Sequence, residues 1–268
     1  MQYNNYSGDD LTFVVCAYKE CRYLDRSVRA LVRQTVKPHA VIISTSTPNE
    51  FIDKVALKYG LEVRVNPHGG QIEDYNFALK QADTELVMLA HQDDILSRRF
   101  AEKVIKALNH AKDPIIAFTD YKEMHNDKVD DSQSLMIKIK KILLLPLKSS
   151  KLSYTTFGKR LALRFGDPIT HPSVVNVMKK IPEDPFKKDF HACMDYDLWE
   201  RLSKVQGSFV YVDRILLHHR MNNDNQSAKL IKGSNDRYDE ELDIFCRFWP
   251  KPIAKFIMKF YKSAYKYY

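Results

Sequence analysis

No stretch of this sequence combines length with unbroken apolarity, so no membrane-spanning helix is expected in it. The polar opening, residues 1–10, leads straight into a strand-like run and lacks the apolar centre of a signal peptide. Cysteine is scarce. Cys16, Cys21, Cys193 and Cys246 match neither a zinc-ligand spacing nor a dense disulfide framework, and a reducing cytoplasm is the simplest setting. The few glycines form no Gly-x-Gly-x-x-Gly turn, which argues against a dinucleotide redox fold, and no Gly-Lys-Ser/Thr phosphate loop occurs. Acids are in the minority, 34 against 42 lysines and arginines. The resulting net charge of +8 points to an acidic partner: nucleic acid, anionic lipid or a phosphorylated ligand.

What is present alternates. Residues 11–17, 40–44, 61–65, 86–90 and 114–119 are apolar runs of strand length. Between them, apolar residues recur at helical spacing: Leu24, Val28, Leu31 and Val32; Phe51, Val55 and Tyr59; Ile72, Tyr75, Leu79 and Ala82; Phe100, Val104 and Leu108. Thr47-Pro48-Asn49-Glu50 predicts a helix start capped by Thr47, Gly60 predicts its end, and Ser97 is expected to cap the helix of Phe100. Such alternation predicts a parallel, doubly wound sheet whose ligands lie beyond the carboxyl ends of the strands. That rim holds Ala17-Tyr18-Lys19-Glu20, Ser44-Thr45-Ser46, residues 66–70 and His91-Gln92-Asp93-Asp94. Two adjacent carboxylates after a buried strand repel each other unless something positive lies between them, and a hard divalent cation fits. A solvated, helix-capping loop is the plainer account of such a pair taken alone.

The second half is less regular. Residues 120–131 are polar and expected as a loop. Residues 135–147 are apolar but interrupted by Lys138, Lys140 and Lys141, with Lys148 and Lys151 following. This suits a core helix with a basic edge or a segment lying on anionic lipid, and both readings stay open. Residues 169–175 read as a short strand with His171 near its start. Asp197 and Glu200 have the spacing of a capping box, which would leave Asp195 in the preceding loop, free to enter a pocket. Residues 209–212 and 214–218 suggest a strand pair leading into His218-His219-Arg220. The Arg220 fork suits a phosphate, although an incidental surface loop explains these residues as well. In the tail, Ile253, Phe256, Ile257 and Phe260 predict an amphipathic helix among lysines, with Tyr261, Tyr265, Tyr267 and Tyr268 nearby. A membrane interface is favoured for it over packing on the domain.

Taken in order, four segments resemble the family-2 glycosyltransferases of the GT-A fold. They are Val14-Val15-Cys16-Ala17-Tyr18-Lys19-Glu20; Gly69-Gly70 with Asn76-Phe77-Ala78-Leu79; His91-Gln92-Asp93-Asp94; and Met194-Asp195-Tyr196-Asp197-Leu198-Trp199. The resemblance implies an α/β fold with a Rossmann-like, mostly parallel central sheet flanked by helices. One continuous domain would comprise a nucleotide-sugar-binding half, 1–120, and an acceptor-side half, 121–268, ending in basic amphipathic helices. The nucleotide-diphosphate sugar would contact Ala17, Tyr18, Glu20, Ser44, Thr45, Gly70, Asn76, His91, Gln92, Asp93 and Arg220. Asp93, Asp94 and His219 would hold Mn²⁺ or Mg²⁺, and Asp195 would be the catalytic base of an inverting hexosyl transfer to a lipid-linked or saccharide acceptor. A part in bacterial surface-polysaccharide synthesis is implied, in the cytoplasm or peripherally on the inner face of the membrane against anionic lipid, without nucleic acid. A non-catalytic GT-A-like protein of the membrane surface is the alternative.

The chain departs from the family pattern at three places. Ser44-Thr45 stands where an acid pair is usual, His91 replaces the first acid of the metal motif, and Met194 replaces a Glu. His91 could bind Mn²⁺, contact a ribose, or simply pack.

Overall fold

Four of the apolar runs become parallel strands, β1 (Leu11–Ala17), β2 (Ala40–Thr45), β3 (Glu62–Val65) and β4 (Leu86–His91), in the spatial order β3-β2-β1-β4. The computed structural model describes residues 2–125, 127–132, 134–221 and 236–264. The faces of β1 divide by parity. Phe13 and Val15 join a core with α1 (Leu24–Val32), α2 (Glu50–Tyr59) and α4 (Phe100–His110). Val14 joins a second core with α3 (Gln71–Leu79), α7 (Thr156–Leu163) and α8 (Met194–Leu202). Burial on both faces is why β1, β2 and β4 read as continuous apolar runs, whereas the edge strand β3 is largely exposed.

Beyond β4 the sheet continues through β8 (Val175–Val177), β6 (Pro114–His125), β9 (Ser208–Arg220) and β5 (Ile95–Leu96). β8 runs antiparallel to both β4 and β6, whereas β6 and β9 are parallel. Strands from both halves of the chain therefore share one mostly parallel sheet.

Several local expectations are corrected. Residues 120–131 are not a loop: β6 continues to His125 and turns back into β7 (Lys128–Val129). Tyr121 and Met124 are the buried apolar residues of that extension, and their spacing of three, without a strand's period of two, disguised it. Asn49, not Thr47, caps α2, accepting the Ile52 N–H at 3.1 Å, while the Thr47 hydroxyl accepts from the Lys19 N–H at 2.6 Å. Gly60 does end that helix, with φ of 65°. Arg99 occupies the cap of α4, and Ser97 contributes its backbone carbonyl to the Phe100 N–H. A 3₁₀ turn, His171–Ser173, precedes β8, and the expected strand pair at 209–218 is the single strand β9.

The remaining helices are α5 (Leu135–Leu143), α6 (Ser150–Tyr154), α9 (Asp236–Cys246) and α10 (Lys251–Ala264). In α10, Ala254 and Met258 are buried with Phe245 on α9, whereas Ile253 and Phe256 face solvent. The tail helix thus packs on the domain through its small and flexible residues and leaves two of the expected apolar stripe outside. The side chains of Phe260, Tyr261, Tyr265, Tyr267 and Tyr268 lie outside the described residues. Among those described, no helix is long and apolar enough to cross a membrane.

Candidate active site

The turn after β4 is pinned from three sides. The Ser27 hydroxyl donates to the His91 carbonyl at 2.9 Å. The Gln92 amide brackets the Tyr18 backbone, accepting from its N–H at 3.0 Å and donating to its carbonyl at 3.2 Å. Pairing of β5 with β9 then lays His218 beside Ile95 and brings His219 and Arg220 against Asp93-Asp94.

The two adjacent acids do different work. Asp94 is buried and accepts the Arg220 backbone N–H at 2.8 Å and His219 Nδ1 at 3.0 Å. Burial opposes its ionisation, but His219, His91 and the Arg220 N–H outweigh it and hold its pKa below the ordinary aspartate range. The same pairing raises the pKa of His219 against the effect of burial. For Asp93 the balance is reversed: burial, with the Asp94 charge added, outweighs His219 and Arg220 and pushes its carboxyl up to about 6. One acid anchors the turn, and the other is only partly buried.

His91, Asp93 and Asp94 offer ligand atoms that all lie within 4.8 Å of one another. One imidazole and two carboxylates at that separation fit a divalent ion. His219 directs Nδ1 at Asp94, so it supports that acid. On its other edge, His91 Nε2 lies 3.2 Å from the Tyr75 hydroxyl and 3.4 Å from His171 Nδ1. Burial lowers the pKa of both histidines to about 4, so both rings are neutral at neutral pH.

Asp195, from a distant part of the chain, acts on the same residues through its charge. It lies in the first turn of α8, not in a loop before it, and accepts the Tyr196 N–H at 2.9 Å. Its charge bears on both His91 and Tyr75, and that of Asp93 bears on Tyr75 as well. Burial raises its pKa, with Lys140 on α5 and Arg237 on α9 pulling the other way. Asp167 lies close by and accepts the Ile169 N–H at 3.0 Å; burial and the Asp195 charge raise its pKa well above the ordinary value.

Other expected contacts are placed differently. Arg220 is 1% exposed, with Nε on the Asp93 carbonyl at 3.0 Å, Nη1 on Asp127 at 2.6 Å and its fork 3.7 Å above the Tyr23 ring. Instead of an open phosphate clamp it is a strut under the acidic turn. Asn76 exchanges two hydrogen bonds with the Phe186 backbone, at 2.9 and 3.0 Å. Ser44 and Thr45 are buried at the end of β2, and the Thr45 hydroxyl accepts from the Thr47 N–H at 3.0 Å. Ala17 is buried at the end of β1, while Tyr18 and Glu20 are exposed on the rim. Gly70 begins α3 with φ of 126°, and a Cβ there would meet the Glu73 carboxylate at 2.4 Å. Only glycine suits that backbone.

Four residues escaped sequence reasoning. Asp74 accepts from Ser46 at 2.8 Å and from Asn66 at 2.7 Å, on the rim between β2 and β3. Tyr75 looked like one of the apolar stripe of α3. Asp167 and His171 follow no recognisable spacing; the signal that could have found them is that acids and imidazoles in a generally apolar stretch need partners.

The family description "Glycosyl transferase family 2" matches residues 12–167. An uncharacterized glycosyltransferase of Haemophilus influenzae is 23% identical over 246 residues, covering 85% of this chain and 73% of that protein. Among solved structures, S. aureus TarS superposes with a TM-score of 0.55 at 12% identity, over 93% of this chain and 42% of that one. TarS 1–349 in complex with UDP-GlcNAc gives 0.58 at 13% identity, over 88% and 65%. Glucosyl-3-phosphoglycerate synthase of Mycobacterium tuberculosis, in complex with Mn²⁺, UDP and glucosyl-3-phosphoglycerate, gives 0.50 at 12% identity, over 79% and 72%. The chain thus spans under half of full TarS and just under two thirds of its shorter form. The curled, mostly parallel sheet flanked by helices is the GT-A-like arrangement of these structures. With more than half of its residues matched by the family description, the chain belongs to glycosyl transferase family 2.

Proposed function

We propose that this protein transfers a sugar from a nucleoside-diphosphate donor to a hydroxyl of a saccharide or lipid-linked acceptor, with inversion at the anomeric carbon. The observation that carries this reading is that the charge of Asp195 acts on His91 and Tyr75, the residues beside Asp93. Inverting displacement needs one base and no enzyme nucleophile, and Asp195 supplies that base. Its burial makes it more basic than a surface carboxylate, while Lys140 and Arg237 favour its ionised form. Asp93, with His91 and Asp94, would hold Mn²⁺ or Mg²⁺, an ion that screens the diphosphate and stabilises the departing charge. Uridine is the favoured base, supported by the UDP and UDP-GlcNAc found with the structural relatives.

Asp195→Asn should lower transfer by about 10²–10⁴-fold while metal-dependent UDP binding stays within a few-fold. Turnover equal to wild type would remove Asp195 from the role of base. Asp93→Ala should instead weaken UDP binding in Mn²⁺, and calorimetry showing unchanged affinity would remove Asp93 from the metal site.

The acceptor side borders a surface suited to anionic lipid. Leu135, Ile139, Ile142 and Leu145 are exposed along α5 and the turn after it, beside the exposed lysines Lys138, Lys148 and Lys151. That pattern supports a peripheral position on the inner face of the membrane, and surface-polysaccharide synthesis is the role proposed with it.

A further inference from the structure

We propose that His91 ligates the metal through Nδ1, and that Tyr75 and His171, by holding its Nε2 edge, make this a site for Mn²⁺ in preference to Mg²⁺. The inference rests on the metal-assisted reading above and concerns which ion the site selects and why.

An imidazole has two usable edges, and the surroundings of His91 assign each. Nε2 faces the Tyr75 hydroxyl at 3.2 Å and His171 Nδ1 at 3.4 Å. Nδ1 faces the acids, 3.7 Å from Asp94 Oδ2 and within the cluster that includes Asp93. When Nε2 carries the ring hydrogen and donates it to the Tyr75 oxygen or the His171 lone pair, Nδ1 presents its own lone pair to the carboxylates. Metal-ligating histidines are ordinarily fixed in this way by a partner on the second nitrogen.

The partners are themselves held. His171 is nearly buried, and its ring lies 5.2 Å from that of Tyr75, 5.5 Å from Phe186 and 6.2 Å from Trp199. Phe186 also packs edge-on against Tyr75 at 5.5 Å. The paired hydrogen bonds between Asn76 and the Phe186 backbone lock that wall to α3. Asn76 thereby positions the residues that position His91. Mg²⁺ prefers oxygen ligands in near-ideal octahedral geometry, whereas Mn²⁺ takes oxygen and also tolerates imidazole nitrogen. Replacing a carboxylate by His91 at this position therefore turns the site away from Mg²⁺.

The test uses the full chain with UDP and added Mn²⁺ or Mg²⁺, read by calorimetry and by pulsed electron paramagnetic resonance of bound Mn²⁺. Wild type should show nitrogen modulation of the Mn²⁺ echo and bind Mn²⁺ at least about tenfold more tightly than Mg²⁺. His91→Asp should lose the nitrogen signal and narrow the preference. Tyr75→Phe, which keeps the packing, should retain the signal but weaken Mn²⁺ by about 10–100-fold. Bound Mn²⁺ without nitrogen modulation in wild type, modulation that survives His91→Asp, or no Mn²⁺ binding would each overturn the proposal. UDP binding measured in the same samples with metal present separates the two readings. If UDP binds, only the ligand assignment falls; if it binds with neither metal, the donor reading falls with it.

Discussion

Asp195 and Asp167 share a buried neighbourhood, and a single proton divides their roles. Burial raises both, and the charge of Asp195 raises Asp167 further, so the proton rests on Asp167 while Asp195 remains the base. The sign of the consequence follows from linkage. Folded Asp167 keeps a proton that the unfolded chain releases near pH 3.9, so stability falls as pH climbs past that value towards the folded pKa. Asp167→Asn lacks this penalty. In thermal melts the variant should match wild type near pH 4 and exceed it increasingly as pH rises above that, by about 1.4 kcal/mol for each pH step until the folded pKa is reached. A gap independent of pH would show that Asp167 is not protonated in the fold. For Asp195 the readout is rate: kcat/KM should fall on the acid side through a pKa above the ordinary aspartate value, because the base must be ionised. At this scale the sequence revealed Asp93 and Asp195, which stand out by local context. It hid Asp167, whose importance depends on a neighbour far along the chain.

Helix α8 shows how a distant residue holds the start of an element. Spacing made Asp197 a helix cap, yet α8 begins earlier, at Met194. The chain leading into it is held by Glu240 on α9, whose carboxylate accepts the N–H groups of His191, Ala192 and Cys193 at 2.9, 2.9 and 2.8 Å. Cys193, at the cap position, makes no side-chain cap bond, and Glu240 satisfies its N–H from outside. Asp197 and Glu200 are then free to pair with cations. Glu200 is fully buried and pairs with Arg160 at 2.6 Å and with Arg247 at 3.4 Å, while Asp197 pairs with Arg247 at 2.7 Å and with Arg201. These pairs bolt α7 and the end of α9 to the helix that carries Asp195. Glu200→Ala should destabilise the fold by about 1.5–3 kcal/mol in urea unfolding, because it removes charge-assisted hydrogen bonds from the partly buried Arg160 and Arg247. A loss below about 1 kcal/mol would mean the network is solvated and dispensable.

For the whole molecule, the charge of +8 and the apolar residues left outside on α5 and α10 bear on where it works. Helix α5 joins two expectations. Ile137 is buried as in a core helix, Lys141 pairs with Asp120 at 3.2 Å, and Leu135 and Ile142 stay exposed. In cosedimentation, the protein should bind vesicles containing phosphatidylserine and not pure phosphatidylcholine, with binding lost as salt shortens the range of attraction. Ile142→Glu should weaken that binding several-fold, since it places a buried anion against lipid. Equal binding to both vesicle types would refute the charge-driven attachment.

The sequence by itself determined β1, β2 and β4, the rim at their ends and the acids of the His91–Asp94 turn. These depend on runs of residues buried on both faces, a property written locally. Tertiary structure alone decided which rim residues are available. Arg220 is committed to Asp93 and Asp127 and Asn76 to Phe186, both across long stretches of chain. The first is set by the register of β5 against β9 and the second by the seating of the chain around Phe186 on α3, which no local pattern records. A side chain's chemistry is fixed by its type, but whether it meets a ligand or a neighbour depends on what the fold brings beside it.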